Sequence, residues 1–171
     1  SAASALGRKT DQLIVDVLDA GSNSNNVVHG SAGLTLAKAL TVYENFGEAD
    51  VPDDGQRYFV VSPAGWADLL QIDQFSRAEY IGEKELPYAG GMTAKRWLGF
   101  LWFSFSGLSI SSTTRDCHAY HRSSVGLAMG SDIRTEVNYI PEKVSNLITS
   151  YMSMGAVMID NEGAIECQIT E

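Results

Sequence analysis

The sequence has 171 residues, a hydrophobic fraction of 44% and a formal net charge of −9. That length carries one domain, or two small lobes around a shared core, and the apolar fraction is that of an ordinary globular chain. Such an acidic surface repels phosphate backbones and anionic lipid, which argues against sequence-independent nucleic-acid binding through a basic face.

The start, SAASALGRKT, lacks the charged head and apolar core of a signal peptide. The most apolar run, Trp97 to Ile110, is too short and too rich in Ser and Gly to span a bilayer. The chain has no initiator Met and opens inside a helical pattern, so an N-terminally shortened chain is expected. Cys117 and Cys167 lie in separate segments without CxxC spacing. They are expected as buried free thiols, in keeping with a reducing compartment.

Leu6, Leu13, Ile14, Val17 and Leu18 recur at helical spacing, and predict an amphipathic helix over 2–18 that stops at Asp19-Ala20-Gly21. A polar loop follows, with Val27-Val28-His29 as a short extended piece. Leu34 to Phe46 returns to helical period, with Gly47 as its expected C-cap. Pro52-Asp53-Asp54-Gly55 is a turn, and Tyr58 to Val61 reads as a buried strand. Ser62 as N-cap and Pro63 at the first helical position open another helix, whose buried side is Trp66, Leu69, Leu70 and Ile72. Phe75 to Tyr80 reads as a short helix, and Gly82, Pro87, Gly90 and Gly91 as a loop. Lys95 to Phe105 reads as one aromatic strand with both faces occupied. Gly107 to Asp116 is expected as a loop, Cys117 to Arg122 as a strand, Ser123 to Met129 as a helical piece, and Ile133 to Tyr139 as a strand.

The closing stretch, residues 146–169, alternates apolar residues on both faces through Met152, Met154 and Met158. It then passes the turn Asp160-Asn161-Glu162-Gly163 and alternates again through Ile165, Cys167 and Ile169. The expectation is a long β-hairpin covered on both sides.

Candidate chemistry is sparse. In Asp116-Cys117-His118-Ala119-Tyr120-His121 the two histidines are three apart, which puts them on opposite faces of a strand. Cys117 with His121 would supply two ligands, short of a metal site. A Cys117 nucleophile would need a third, orienting group such as Asn138. Gly90-Gly91 and Gly30 to Gly33 fit neither a P-loop nor a dinucleotide fingerprint. The aromatics of 97–105 lack the interleaved basic residues of a base-stacking platform. The acidic pairs Asp53-Asp54 and Asp160/Glu162 lack EF-hand spacing. The residues thus assign no catalytic, cofactor-binding or metal site, and predict a non-enzymatic α+β protein that presents surfaces.

The order of segments is more specific. RKTDQLIVDVLDAG is followed by VPDDGQRYFVVSPAGWADLL, GGMTAKRWLGFLWFSFSGL, CHAYHRSSVGLAMG and TEVNYIPEKVSNLITSYMSMGAVMIDNEGAIE. This succession resembles the C-terminal half or more of a tailed-bacteriophage or prophage major capsid protein of the Hong Kong 97-type fold. Gln56 to Leu70, Ala119 to Ala128 and Ser153-Met154-Gly155-Ala156 with its following turn carry the likeness.

The resemblance implies an α+β subunit with a peripheral lobe, made of a spine helix and long antiparallel strands, and an axial lobe with a mixed sheet and flanking helices. Residues 1–29 would end the spine helix, 30–130 would form the axial lobe, and 131–171 would add peripheral strands and the closing hairpin. It implies a virion coat protein that self-assembles into pentamers and hexamers of an icosahedral head and encloses double-stranded DNA without sequence-specific binding. Portal, scaffold or decoration proteins are candidate partners. Residence in the host cytoplasm during assembly is implied, with no membrane and no cofactor. Two other readings stay open: an encapsulin-like compartment shell, and a thiol or metal enzyme using Cys117, His118 and His121. The family's N-terminal arm and extended loop have no counterpart in this sequence.

Overall fold

The computed structural model of the chain describes residues 2–21, 26–76 and 94–171. Helix α1 (Ala2–Ala20) confirms the opening amphipathic pattern. Helix α2 (Leu36–Glu48) is capped by Thr35, whose hydroxyl accepts from the Lys38 N–H at 3.4 Å. Its C-cap is Ala49, and Gly47 lies inside the last turn instead of ending it. Strand β1 (Arg57–Val61) leads into α3 (Pro63–Gln71), where Ser62 Oγ accepts from the Gly65 N–H at 3.0 Å and Pro63 opens the helix. A single short turn, α4 (Asp73–Ser76), follows. The rest of the helix expected to Tyr80, and the glycine-marked loop after it, lie outside the described residues.

Among the described residues the central sheet has six strands. β1 sits between β3 (Phe100–Ser104), which runs parallel to it, and β5 (Thr114–His121), which runs antiparallel. β2 (Ala94–Trp97) closes one edge against β3, while β4 (Ile110–Ser111) and β8 (Ala164–Thr170) both pair with β5. Val27 adds an isolated bridge to Cys167, as the short extended piece predicts. Phe59 stacks on its register partner Trp102 with ring centroids 4.0 Å apart, and Phe46 of α2 meets Phe100 edge-on at 5.1 Å. Each such buried ring contributes roughly 1.5–3 kcal/mol, so this aromatic layer between α2 and the sheet is the core. On the other face Val60, Phe103 and Tyr120 look toward α1.

Two buried cations tie loops to this frame. Lys38 Nζ donates to the carbonyls of His29, Ala32, Gly33 and Gln168 at 2.7–3.0 Å, and burial pushes its pKa down. Arg57 donates to the carbonyls of Val51 and Pro52, with its guanidinium over the Phe46 and Phe100 rings.

The second sheet is a two-stranded ribbon of β6 (Val125–Ile140) and β7 (Ser145–Met158). This corrects the expected closing hairpin. β7 pairs with β6, and β8 leaves it to join the central sheet beside β5. The turn residues Asp160 to Gly163 therefore carry the chain from one sheet to the other. The local pattern signals two strands and a turn but not which neighbour each strand chooses. Nor is β7 covered on both sides: Met152, Met154 and Met158 are half-buried while Tyr151, Val157 and Ile159 alternate with them in the open.

Three smaller expectations also change. Lys95 to Phe105 is a hairpin, because Leu98 and Gly99 both take positive φ and reverse the chain between β2 and β3. Ser123 to Met129 is not helical beyond a 3₁₀ turn at Arg122–Ser124, after which β6 begins. The Gly107 to Asp116 loop contains β4 and the start of β5.

Candidate assembly interface

The residues singled out for chemistry do not converge. Cys117 and Cys167 are directly opposed across β5 and β8, both are free, and burial pushes each thiol up to about 12. Such thiols stay protonated and make poor nucleophiles. His118 is fully buried and bonds Asp19 of α1 through Nε2 at 2.6 Å. His121 reaches Asp54 at 3.1 Å through Nε2 and Ser123 Oγ at 2.7 Å through Nδ1. Asn138 belongs to β6, in the other sheet. Asp53 pairs with Arg57 at 3.9 Å, and Asp160 Oδ1 accepts from the Glu162 N–H, so both acidic turns serve local structure. Among the described residues no group of three His, Cys, Asp or Glu side chains is placed to hold a metal. No helix among them is long and apolar enough to cross a membrane.

The ribbon is the feature that the central fold does not account for. Its strands have 16 and 14 residues, which extend to roughly 45–50 Å at strand rise. The 19 residues of α1, the helix packed on it, reach only about 28 Å. Part of the ribbon therefore projects beyond any cover that α1 can give. Register runs unbroken from Val125↔Met158 to Met129↔Met154, shifts on either side of Ser131, and resumes from Arg134↔Tyr151 to Ile140↔Ser145. Cross-strand bonds stiffen the outer part: Tyr151 Oη donates to Glu136 at 2.8 Å, and the Thr135 and Ser150 hydroxyls meet at 3.0 Å.

Most of the exposed large apolar side chains among the described residues lie on this ribbon or at its ends. Val137 is 63% exposed, Ile148 67% and Val144 79%. β7 carries no charged residue from Ser145 to Met158, and among the described residues it has a strand neighbour on one side only. Natural edge strands are usually blunted by charge, Pro or cover, and a lone two-stranded ribbon is marginal in water. The chemistry on offer is strand and side-chain burial against another polypeptide.

Over the whole of residues 1–171 the sequence matches the family described as phage capsid protein. The chain belongs to that family. Its fold is also that of solved capsids. It aligns with a chain of Mycobacterium phage Che8 at a TM-score of 0.74 and 20% identity, covering 96% of this chain and 60% of that one. The capsid of cyanophage P-SCSP1u follows at 0.72 and 16% identity, with 98% and 63% covered. The holo-SrpI encapsulin complex of Synechococcus elongatus PCC 7942 aligns at 0.66 and 8% identity, with 99% and 63% covered. The capsid chain spans about three fifths of the length of these structures and shares the Hong Kong 97-type capsid fold. No curated protein sequence matches it. Family and fold point to a structural role.

Sequence reasoning missed Asp19, which ties α1 to the central sheet, and Lys38 and Arg57, which tie loops to it. Asp19 reads as part of a helix stop, and Lys38 and Arg57 stand out by no motif. Their partners are distant in sequence or are backbone carbonyls, which leave no side-chain pattern to read.

Proposed function

We propose that this chain is the folded body of a coat subunit that assembles with copies of itself into an icosahedral phage head around double-stranded DNA. The observation that carries the reading is the long apolar ribbon, only partly covered by α1, on a chain of the phage capsid family. Exposed apolar patches of this kind mark association surfaces. In this reading the central sheet with α2 to α4 forms the axial lobe of a capsomer, and the ribbon with α1 forms the peripheral lobe. Pentamers and hexamers close the shell, and portal, scaffold or decoration proteins bind it. Assembly takes place in the host cytoplasm and ends in the virion. The net charge of −9 fits a container that holds DNA by enclosure and not by a basic inner wall.

The likeness to an encapsulin over 99% of the chain favours a second reading, a shell that encloses protein cargo. Electron microscopy of particles formed by the full-length gene product tests both. Closed shells with nuclease-protected DNA support the head, and shells with co-purifying protein and no DNA support the compartment. Monomers under all assembly conditions would overturn both.

A further inference from the structure

A cavity of about 280 Å³ opens between α1 and the central sheet, lined by Ile14, Val15, Leu18, Val60 and Phe103, with Asp11 also among its lining residues. Sites for drug-sized ligands run from about 300 to 1,000 Å³, so this one suits a side chain or two. At the far end of the ribbon, Val144 closes the turn after Pro141–Lys143. Its φ of 46° lies in the left-handed region, which is costly for a β-branched residue, and it is 79% exposed. A strained backbone that holds an apolar side chain out in water needs a reason beyond folding. Lys143 stands next to it and carries a charge opposite to that of Asp11, which forms no ion pair among the described residues.

We infer that the ribbon tip of one copy docks into the cavity beneath α1 of a second copy, with Val144 entering the apolar pocket and Lys143 pairing with Asp11. This rests on the shell reading and deepens it. The tip cannot serve its own cavity. Leu18 lines the cavity, while the neighbouring Val17 borders Met158 at the base of the ribbon, so a stiff ribbon separates the two ends. Tip and cavity are different surfaces, so the contact is head-to-tail, the kind that closes into rings when the rotation allows.

The test uses particles of the full-length gene product. Lys143→Glu and Asp11→Lys should each lower particle yield about tenfold, and the two together should restore most of it, because the pair is only exchanged. Val144→Asn accepts the left-handed backbone, so it should keep or raise Tm while lowering yield. Lys143→Cys combined with Asp11→Cys should form a disulfide between copies, with the buried Cys117 and Cys167 out of competition. Normal yield from the single variants, no restoration by the exchange, or no cross-link in particles overturns the docking and leaves the shell reading standing. A wild-type chain that forms no particles overturns both.

Discussion

The Asp19 carboxylate meets Nε2 of His118 at 2.6 Å across ninety-nine residues of sequence. The imidazole is fully buried, and its other nitrogen, Nδ1, has no hydrogen-bond partner among the described residues. The contact pins the last turn of α1 to β5, where the helix passes between the central sheet and the ribbon. Asp19→Ala leaves the ring without a partner at either nitrogen, and a buried polar group so stranded costs about 1–3 kcal/mol. Urea unfolding should register a loss of that size. Asp19→Asn, which keeps an acceptor oxygen, should lose less. No change in the alanine variant would mean that the helix end is held by packing alone.

The two chain crossings between sheet and ribbon lie against each other. Ile159 N–H donates to the Ser124 carbonyl at 2.8 Å, and Gly163 is packed so closely that a Cβ there would sit 2.0 Å from Ser124 Oγ. Gly163→Ala forces one crossing away from the other and should cost about 1–3 kcal/mol, as overpacking does. Adding Ser124→Gly removes the colliding atom, so the double variant should recover part of the loss. Strict additivity of the two changes in urea unfolding would show that the collision is relieved elsewhere.

Those crossings also explain how much of the fold could be read from the residues. Local signals located most strands and helices, although Gly47 did not end α2. Tyr58 to Val61 sits between Gly55 and Ser62-Pro63; its end at Val61 holds, and the strand starts one residue earlier, at Arg57. Pairing was not legible. β7 and β8 are consecutive, alternate in the same way and flank an Asn and Gly turn, yet each chooses an earlier strand. The choice depends on cover: Ile165, Cys167 and Ile169 fill the core beneath the sheet, whereas the alternate residues of β7 face solvent. The proposed interface was suggested only by resemblance, because a charge-free strand reads the same whether its cover comes from its own chain or from a neighbour.

The buried thiols separate the structural reading from a thiol enzyme. Burial pushes both Cys117 and Cys167 up to about 12, and neither is exposed. A thiol-specific reagent near neutral pH should label native protein no faster than the protein opens, and should label both cysteines once urea unfolds it. Fast native labelling confined to Cys117 would revive the nucleophile reading.

Two carboxyls give opposite pH signatures. The Arg115 guanidinium, 2.8 Å from Glu171, holds that carboxyl below its ordinary 4.5. Its contribution is therefore complete above 4.5 and disappears as pH falls through the lower folded value. Glu166 is raised, first by burial and then by the nearby Asp116 charge. Its folded state holds the proton more tightly than the unfolded chain, so its contribution is present below 4.5 and is lost as pH rises through the raised value. Glu171→Gln should then lower the urea midpoint near pH 7 and match the wild type at strongly acid pH. Glu166→Gln keeps a carbonyl for the Gln168 side-chain amide, which donates to Glu166 at 2.8 Å. It should raise the midpoint near pH 7 and leave it unchanged, or slightly lower, near pH 4. Midpoints of the two variants that move in the same direction near pH 7 would show that one of these environments is misassigned.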